Sequence, residues 1–483
     1  MSVRALEPKA IWNYFADLNA VPRPSKKEEK VRKFIRDFGK SLQLEVAEDK
    51  VGNIVIKKQA SPGFENRKKV VLQAHLDMVC QKNNEVDFDF ETQGIQMEVE
   101  GDWVQALGTT LGADNGIGVA SIMAVLASGE MKHPAIEALF TIDEETGMTG
   151  AFGLEPGFLS GDILLNLDTE EDDEIDIGCA GGIDVTALKT CKEVTVPQEY
   201  SSYSIILTGL HGGHSGMEIH KGLGNSNKLL NRFLYNFLDF GILVTSFDGG
   251  GLRNAIPREA NAVFSVPKEH QKELETRFQQ LKKEIVAEFL SLEENLSIEL
   301  VAAAHAVKGL DNIDSKKLLS AIQGAHNGVY RMSPDIEDLV EASNNIARVE
   351  LKDGKAKILC LTRSSVESSK LWVANSLKAV FELADMEVEF TGSYPGWKPN
   401  PHSSVLQLAE KVYEDQTGQK PLVMACHAGL ECGLIGEKYP EMEMISFGPT
   451  IKGAHSPKER VSISSVQKFW KYLQEVLQQI PVK

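Results

Sequence analysis

The sequence predicts an α/β protein in which a domain with a covered mixed sheet is split by an inserted α+β domain of doubled ferredoxin-like type. Three observations predict it. Short apolar runs alternate with helix-forming stretches in the first and last parts of the chain, as in a sheet covered by helices. The middle changes to rounds of helix and paired strands. At 483 residues the chain also exceeds a single hydrophobic core, so two domains are expected.

Each element has its own local reason. Lys9 to Leu18 has helical spacing and follows Pro8, a residue tolerated at a helix start; Lys27 to Leu42 has helical spacing too. VGNIVIKK and KKVVLQAHLDMV read as strands, and IQMEVEGDWVQAL as a hairpin. LGADNGIGVASIMAVLAS has a polar start followed by helix formers, and AIEALFTI and DILLNLD suit central strands. From about Val185 to Ala303 the order is β-α-β-β-α-β, the ferredoxin-like order. The next stretch, to MEVEFTGSY, has the same order without its first strand. GSYPGWKPNPHSS, rich in proline and glycine, marks the exit from the insert. VLQLAEKVYEDQTG, MEMISFGP and SISSVQKFWKYLQEVLQQI then give helix, strand and an amphipathic final helix. The expected boundaries are 1–185 and 400–483 for the split domain, and 186–399 for the insert.

The composition, 42% apolar and 25% charged, is that of an ordinary soluble globular protein. A net charge of −18 argues against nucleic acid or an anionic membrane as partner, because both would repel it. The six cysteines lack a ligand-pair rhythm and suit a reducing compartment. Charge and proline interrupt the N-terminal stretch, so no signal peptide is expected, and no apolar run is long enough to span a bilayer. A cytoplasmic location is expected.

Five acidic or histidine sites each lie where an apolar run meets a loop: His75 with Asp77, Asp114, Glu144 with Glu145, Asp168, and His455. Two histidines and several carboxylates, with no cysteine among them, suit a pair of borderline or hard divalent ions. Their placement agrees with ligand sites at the carboxyl ends of strands in open α/β sheets. The chain therefore reads as a two-metal hydrolase. His75 and Asp77 point to the same side of an extended chain, so Asp77 can orient an imidazole that binds metal; a structural histidine is the alternative. Asp114 could cap the helix that follows it or lie between two metals. Adjacent Glu144 and Glu145 would be costly at a buried strand end without cations, which suggests one ligand and one general base; a solvated pair is the alternative. Asp168 could cap a turn. An exposed loop histidine is the plain reading of His455, and Glu170 to Glu174 read as a hydrated acidic loop.

AHLDMV, LGADNGIGVA, TIDEETGMTGA, NLDTE and GAHSPKE resemble the successive site motifs of the co-catalytic zinc metallopeptidases, a family that includes carnosinases, aminoacylases and acetylornithine deacetylase. GLHGGHSGMEIHKG, GGLRNAIPREA and MACHAGLECGLI carry a closer resemblance to dipeptidases of that family, and the resemblance spans essentially the whole chain. It implies a phosphorylase/hydrolase-like catalytic domain with a lid insert. It further implies that His75 and Asp168 hold one metal and Glu145 and His455 the other, with Asp114 and a water bridging them. Glu144 would be the general base, and Asp77 would fix His75. His214 would reach the scissile carbonyl, Asn254 and Arg363 would bind substrate, and Gly429 would lie on the catalytic-domain wall facing them. From the residues alone, GHSG also reads as a tight turn and Arg363 as a surface arginine.

The implied cofactors are two divalent ions, Zn2+ foremost, with Co2+ or Mn2+ fitting similar ligands. Many relatives carry aspartate where this chain has Asn115, and a cis peptide between Asp114 and Asn115 is implied as well. The implied activity is hydrolysis of dipeptides, Xaa-His among them. An aminotripeptidase or an N-acyl amino acid deacylase on the same metal centre is the alternative. A non-catalytic binding protein on this scaffold would have no need of Glu144 beside a full ligand set. The implied partners are a short peptide substrate and a second copy of the chain joined through the lid. Whether His214 serves its own active site or its partner's is left open.

Overall fold

The computed structural model describes residues 2–83 and 85–483. The chain separates into two units: Met1–Gly178, Trp397–Ala425 and Leu430–Lys483 form the first, Cys179–Gly396 and Cys426–Gly429 the second.

The first unit is built on a mixed eight-stranded sheet. Its centre is the runs Ile136–Thr141, Val70–His75, Ile163–Asn166 and Glu443–Ser446, which lie side by side and parallel. The first three are buried along their whole length, as continuous apolar strands covered on both faces must be. Antiparallel Ile54–Lys58 and Glu45–Glu48 extend one side, and Glu174–Cys179 and Leu422–Cys426 the other. Parallel neighbours present their carboxyl ends together, so the loops after His75, Thr141 and Asn166 open at one edge.

Helix Ala113–Ala127 packs on the Val70–His75 strand and on helix Lys9–Asn19. Small residues let it approach closely: a Cβ at Gly116 would stand 2.9 Å from the Phe15 ring. The expected hairpin forms as Met97–Glu100 and Trp103–Ala106, and joins Arg460–Ser462 and Ile451–Lys452 in a second small sheet. The loop carrying His455 lies between the last two strands. The peptide between Asp114 and Asn115 is cis. No described helix is long and apolar enough to cross a membrane.

The second unit holds a nine-stranded sheet. Tyr200–Thr208, Ser226–Asn236, Leu243–Gly250, Ala260–Pro267, Gln271–Phe289 and Ser297–Ala302 follow the β-α-β-β-α-β order. The second round, Asn312–Gly324, Val340–Lys352, Lys355–Ser364, Glu367–Leu383 and Glu387–Tyr394, lacks a first strand in sequence. Gly181–Thr190 fills that place, pairing with Lys355–Ser364 on one side and Glu387–Tyr394 on the other. This strand, which the sequence did not signal, begins with Gly-Gly and runs through residue 185. Gly429, expected on the wall of the catalytic domain, groups with the second unit.

Candidate metal centre

The acidic and histidine sites of the first unit meet at the carboxyl edge of its sheet. His75 is the last residue of its strand and is 1% exposed. Its Nε2 lies 3.1 Å from Asp114 Oδ1 and 3.5 Å from Asp168 Oδ1. His455 Nε2 lies 3.2 Å from the other Asp114 oxygen, Oδ2, and 3.0 Å from Glu145 Oε2. Asp114 thus offers one oxygen to each histidine and stands between two His–carboxylate pairs.

The donor set fits divalent metal. Two ligands held tetrahedrally at about 2.0–2.2 Å from one ion stand roughly 3.4 Å apart, the spacing seen around both imidazoles. Glu145 Oε1 is buried without a hydrogen-bond partner, which suits an oxygen that ligates a cation. His75, Asp114 and Glu145 present ligand atoms within 4.8 Å of one another. A second group, Glu28, Asp77 and Asp143, is equally close but engaged. Its carboxylates take hydrogen bonds from the Lys26 and Asp143 amides, from Ser25 and from Thr146 and Thr149.

Desolvation disfavours charge throughout the cluster, and the partners oppose it. Burial pulls the His75 pKa down, but the charge of Asp168 and hydrogen bonds to Asp114, Asp168 and Asp77 carry it well above the ordinary histidine range. His455, hydrogen-bonded to Asp114 and Glu145, is pushed up to about 11. Burial raises Asp168 to about 6 against the pull of His75. Glu144 is also raised well above the usual range, by burial first and then by Asp168, Glu431 and Glu145, with His75 opposing. So much negative charge in one place is what a divalent cation compensates.

Asp77 does two things. Its carboxylate stands 3.4 Å from His75 Nδ1, and it accepts the backbone N–H groups of Glu144 and Glu145 at 3.0 and 3.2 Å. It therefore braces the imidazole and the turn that aims both glutamates, while Ser25 donates to it at 2.8 Å. Asp143, with φ of 53°, makes that turn in left-handed backbone.

Asp114 does not cap its helix. Glu459 does so from a distant loop, accepting the backbone N–H groups of Leu111, Gly112, Ala113 and Asp114 at 2.7–3.2 Å. Arg23, 1% exposed, holds the same segment by its carbonyl face. It donates to Gly112 O at 2.5 Å, and to Leu76 O and Asp77 O at 3.2 and 3.1 Å. The loops bearing His75 and Asp114 are thus tied by one guanidinium. Gly112, with φ of +69°, leaves room for it: a Cβ there would lie 2.3 Å from the Arg23 nitrogen. Asn115 donates to Asp168 Oδ1 and to Leu167 O.

The sequence reading overlooked Ser25, Arg23 and Glu459, whose partners lie far along the chain. It also took Glu170 for part of a hydrated loop. Burial, then the charges of Asp114 and Asp168, push its carboxyl up to about 8.

In the second unit, His214 and Asn254 come together. Gly213–His214 pairs with Ala255–Ile256, and the Ser215 amide donates to Asn254 O at 2.8 Å. His214 Nδ1 accepts the amides of Gly216 and Met217 at 3.2 and 3.1 Å, which leaves the ring proton on Nε2. Burial and the charge of Arg363 lower its pKa, so the ring is neutral at pH 7 and a donor. Arg363 is buried, donates to Tyr394 OH at 3.0 Å, and keeps an Nε without a partner. A Cβ at Gly216 would stand 2.2 Å from His427 O, so the GHSG turn lies directly on the segment carrying Gly429.

Fold and cluster define a class, α/β proteins shaped to hold divalent metal at strand ends, and comparison with known proteins specifies it. The model of peptidase family M20/M25/M40 matches residues 71–479. The cytosol non-specific dipeptidase of Escherichia coli (strain K12) is 44% identical over 482 residues, covering 99% of both chains. The crystal structure of aminoacylhistidine dipeptidase from Vibrio alginolyticus superposes with a TM-score of 0.95 at 45% identity, covering 100% of this chain and 99% of that one. Aminopeptidase PepT from Bacillus cereus shares the fold at 15% identity and a TM-score of 0.58, covering 98% and 99%. The chain belongs to peptidase family M20/M25/M40, and it is a hydrolase.

Proposed function

We propose that this protein is a cytosolic dipeptidase that hydrolyses a range of dipeptides, Xaa-His among them, with two divalent metal ions. The observation that carries the metal chemistry is the position of Asp114, one oxygen toward each of two histidines that each face a further carboxylate. The substrate class rests on full-length similarity to the two dipeptidases.

His75 and Asp168 would hold one ion, Glu145 and His455 the other, with Asp114 shared; zinc, cobalt and manganese all suit these ligands. Bound there, the ions would supply Lewis acidity, which polarises a peptide carbonyl and makes a water easier to deprotonate. Glu144 takes the proton of the attacking water and returns it to the leaving amine. Its pKa, raised by burial, supports that exchange. Asp77 keeps His75 oriented and the glutamate turn in place. His214 donates its Nε2–H to the carbonyl oxygen as charge develops. Arg363 takes the substrate's terminal carboxylate, with Asn254 and Gly429 completing the substrate-binding set; a guanidinium with an unused Nε–H suits that role. Such a clamp selects very short peptides.

We further propose a homodimer formed through the second unit. Strand Gly328–Met332 pairs with Val340–Lys352 on one side and carries Tyr330 and Met332, which with Leu371 and Trp372 of helix Glu367–Leu383 are exposed by 41–63%. Trp372 Nε1 donates to Tyr330 OH at 2.7 Å, so strand and helix present one surface.

The test is hydrolysis of several dipeptides including Xaa-His, one tripeptide and one N-acetyl amino acid, before and after chelation and zinc return. Metal-dependent cleavage confined to dipeptides is expected. Cleavage of the acetylated compound alone would keep the centre and overturn the substrate.

A further inference from the structure

Beneath the candidate metal centre runs a buried polar ladder. Gln73, Asn166, Ser446 and Asp176 stand directly opposite one another on four neighbouring strands of the first unit. Gln73 lies two residues before His75 on the same strand, hence on the same face. All four are buried, as are Thr141, Thr169 and Glu431, which complete the row. Seven polar side chains buried in and against this largely apolar sheet would be costly unless joined.

Hydrogen bonds join them into one row. Gln73 Nε2 donates to Glu431 Oε2 at 2.6 Å and to Thr141 Oγ1 at 3.2 Å, and Thr141 donates to Glu431 Oε2 at 2.6 Å. Asn166 Nδ2 donates to Gln73 Oε1, and the Ser446 hydroxyl donates to Asn166 Oδ1. Thr169 Oγ1 lies 2.8 Å from Ser446 Oγ and 3.1 Å from Asp176 Oδ2.

The hydrogens can be counted. With the Asn166 and Gln73 amides oriented as they stand, Asn166 Oδ1 carries no hydrogen, so the single hydroxyl hydrogen of Ser446 is committed to it. The 2.8 Å contact between Thr169 and Ser446 must then use the hydrogen of Thr169. That leaves the Thr169–Asp176 contact without a hydrogen unless the aspartate brings one. An ionised Asp176 would instead draw the threonine hydrogen and set two hydroxyl lone pairs against each other.

We propose that Asp176 is held as the neutral acid and heads a one-way hydrogen-bond ladder, Asp176–Thr169–Ser446–Asn166–Gln73–Glu431, that positions the strand ends carrying His75 and Asp168. The positioning role rests on the metal-centre reading above; the protonation does not. Thr169 follows Asp168 directly, and Asn166 ends the strand leading to it, so the ladder fixes that ligand's backbone from both sides. Gln73 does the same for His75. Burial pushes the Asp176 carboxyl up to about 7, with the charge of Glu174 adding to it. Asp176 and Ser446 are positioning residues; neither touches substrate.

The test compares Asp176→Asn, whose amide can donate to Thr169 as the acid does, with Ser446→Ala, which cuts the ladder. Two readouts are taken: zinc affinity by chelator competition and the infrared carboxylic-acid C=O band at neutral pH. Asp176→Asn is expected to bind zinc within about threefold of wild type and to lose one acid band from the difference spectrum. Ser446→Ala is expected to weaken zinc about 10-fold, at the lower end of what outer groups of metal sites contribute. The sign of a third readout follows from the raised pKa. Unfolded wild type ionises at residue 176 near pH 4 while the folded protein resists until about 7. The stability of Asp176→Asn relative to wild type should therefore rise between those values and level off above. No lost band, or an Asp176→Asn variant as weak for zinc as Ser446→Ala, would overturn the neutral acid. Wild-type affinity in Ser446→Ala would overturn the positioning role. If wild type took up no zinc at all, the metal reading would fall and the infrared band would still decide the ladder.

Discussion

At the scale of single residues, the proposed metal centre gives adjacent side chains opposite tasks. Glu144 and Glu145 share one turn and one brace, Asp77, yet only Glu145 is placed against His455, at 3.0 Å. Glu145 has the orphaned buried oxygen that wants a cation, while Glu144 is desolvated among like charges, which raises its affinity for a proton. Glu144→Gln should thus keep both metals and its KM and lose about 10²–10⁴-fold in kcat, the range of a general base. Metal content by elemental analysis beside steady-state kinetics checks it, and loss of metal together with activity would show the two glutamates to be exchanged. That histidines and carboxylates meet here was legible because each stands at the end of a recognisable apolar run. Glu170 was misread because five consecutive acidic residues look hydrated when only the local chain is considered. Its burial comes from residues far away in sequence.

At the scale of elements, the beginning of helix Ala113–Ala127 shows what a linear reading misses. The helix was evident from its small, helix-forming residues, and an aspartate near its start suggested a local cap. The cap is Glu459, more than 340 residues away, and nothing in KGAHSPKER distinguishes that glutamate from a surface one. The strand Gly181–Thr190 escaped notice for the opposite reason: its opening glycines carry little strand propensity, and pairing on both sides supplies what the residues lack. By contrast, Val70–His75 and Ile136–Thr141 declared themselves because strands buried on both faces have to be apolar throughout. The Glu459 arrangement has a measurable consequence. Glutamine keeps one carbonyl oxygen but turns an NH2 group toward two of the four amides. Glu459→Gln should lose about 2–3 kcal/mol in denaturant unfolding, the scale of a charged hydrogen bond lost with its donors left buried. It should also bind zinc more weakly, because Asp114 sits on the released segment. Unchanged unfolding and unchanged zinc affinity would show that Arg23 alone holds the loop.

At the scale of the whole molecule, the proposed homodimer must bring together two chains that each carry a net charge of −18. Long-range repulsion between copies is screened within about 8 Å at physiological ionic strength, so a close apolar contact decides the outcome. The surface formed by Tyr330, Met332, Leu371 and Trp372 suits one: an aromatic pair already ordered by a hydrogen bond costs little entropy to bury, and the open side of Gly328–Met332 offers backbone groups for pairing. Trp372 is 63% exposed in the single chain. A glutamate there would place new charge in the contact. Trp372→Glu should turn a dimer into monomers at micromolar concentration, a loss of at least about 2 kcal/mol if the tryptophan is a central anchor. Sedimentation velocity of wild type and variant at 0.05 and 0.5 M salt separates the contributions. A wild-type dimer tightened by salt and lost in the variant supports an apolar interface opposed by net charge. A wild-type monomer at both salts would overturn the dimer, and a variant that remains dimeric would move the interface away from this strand and helix.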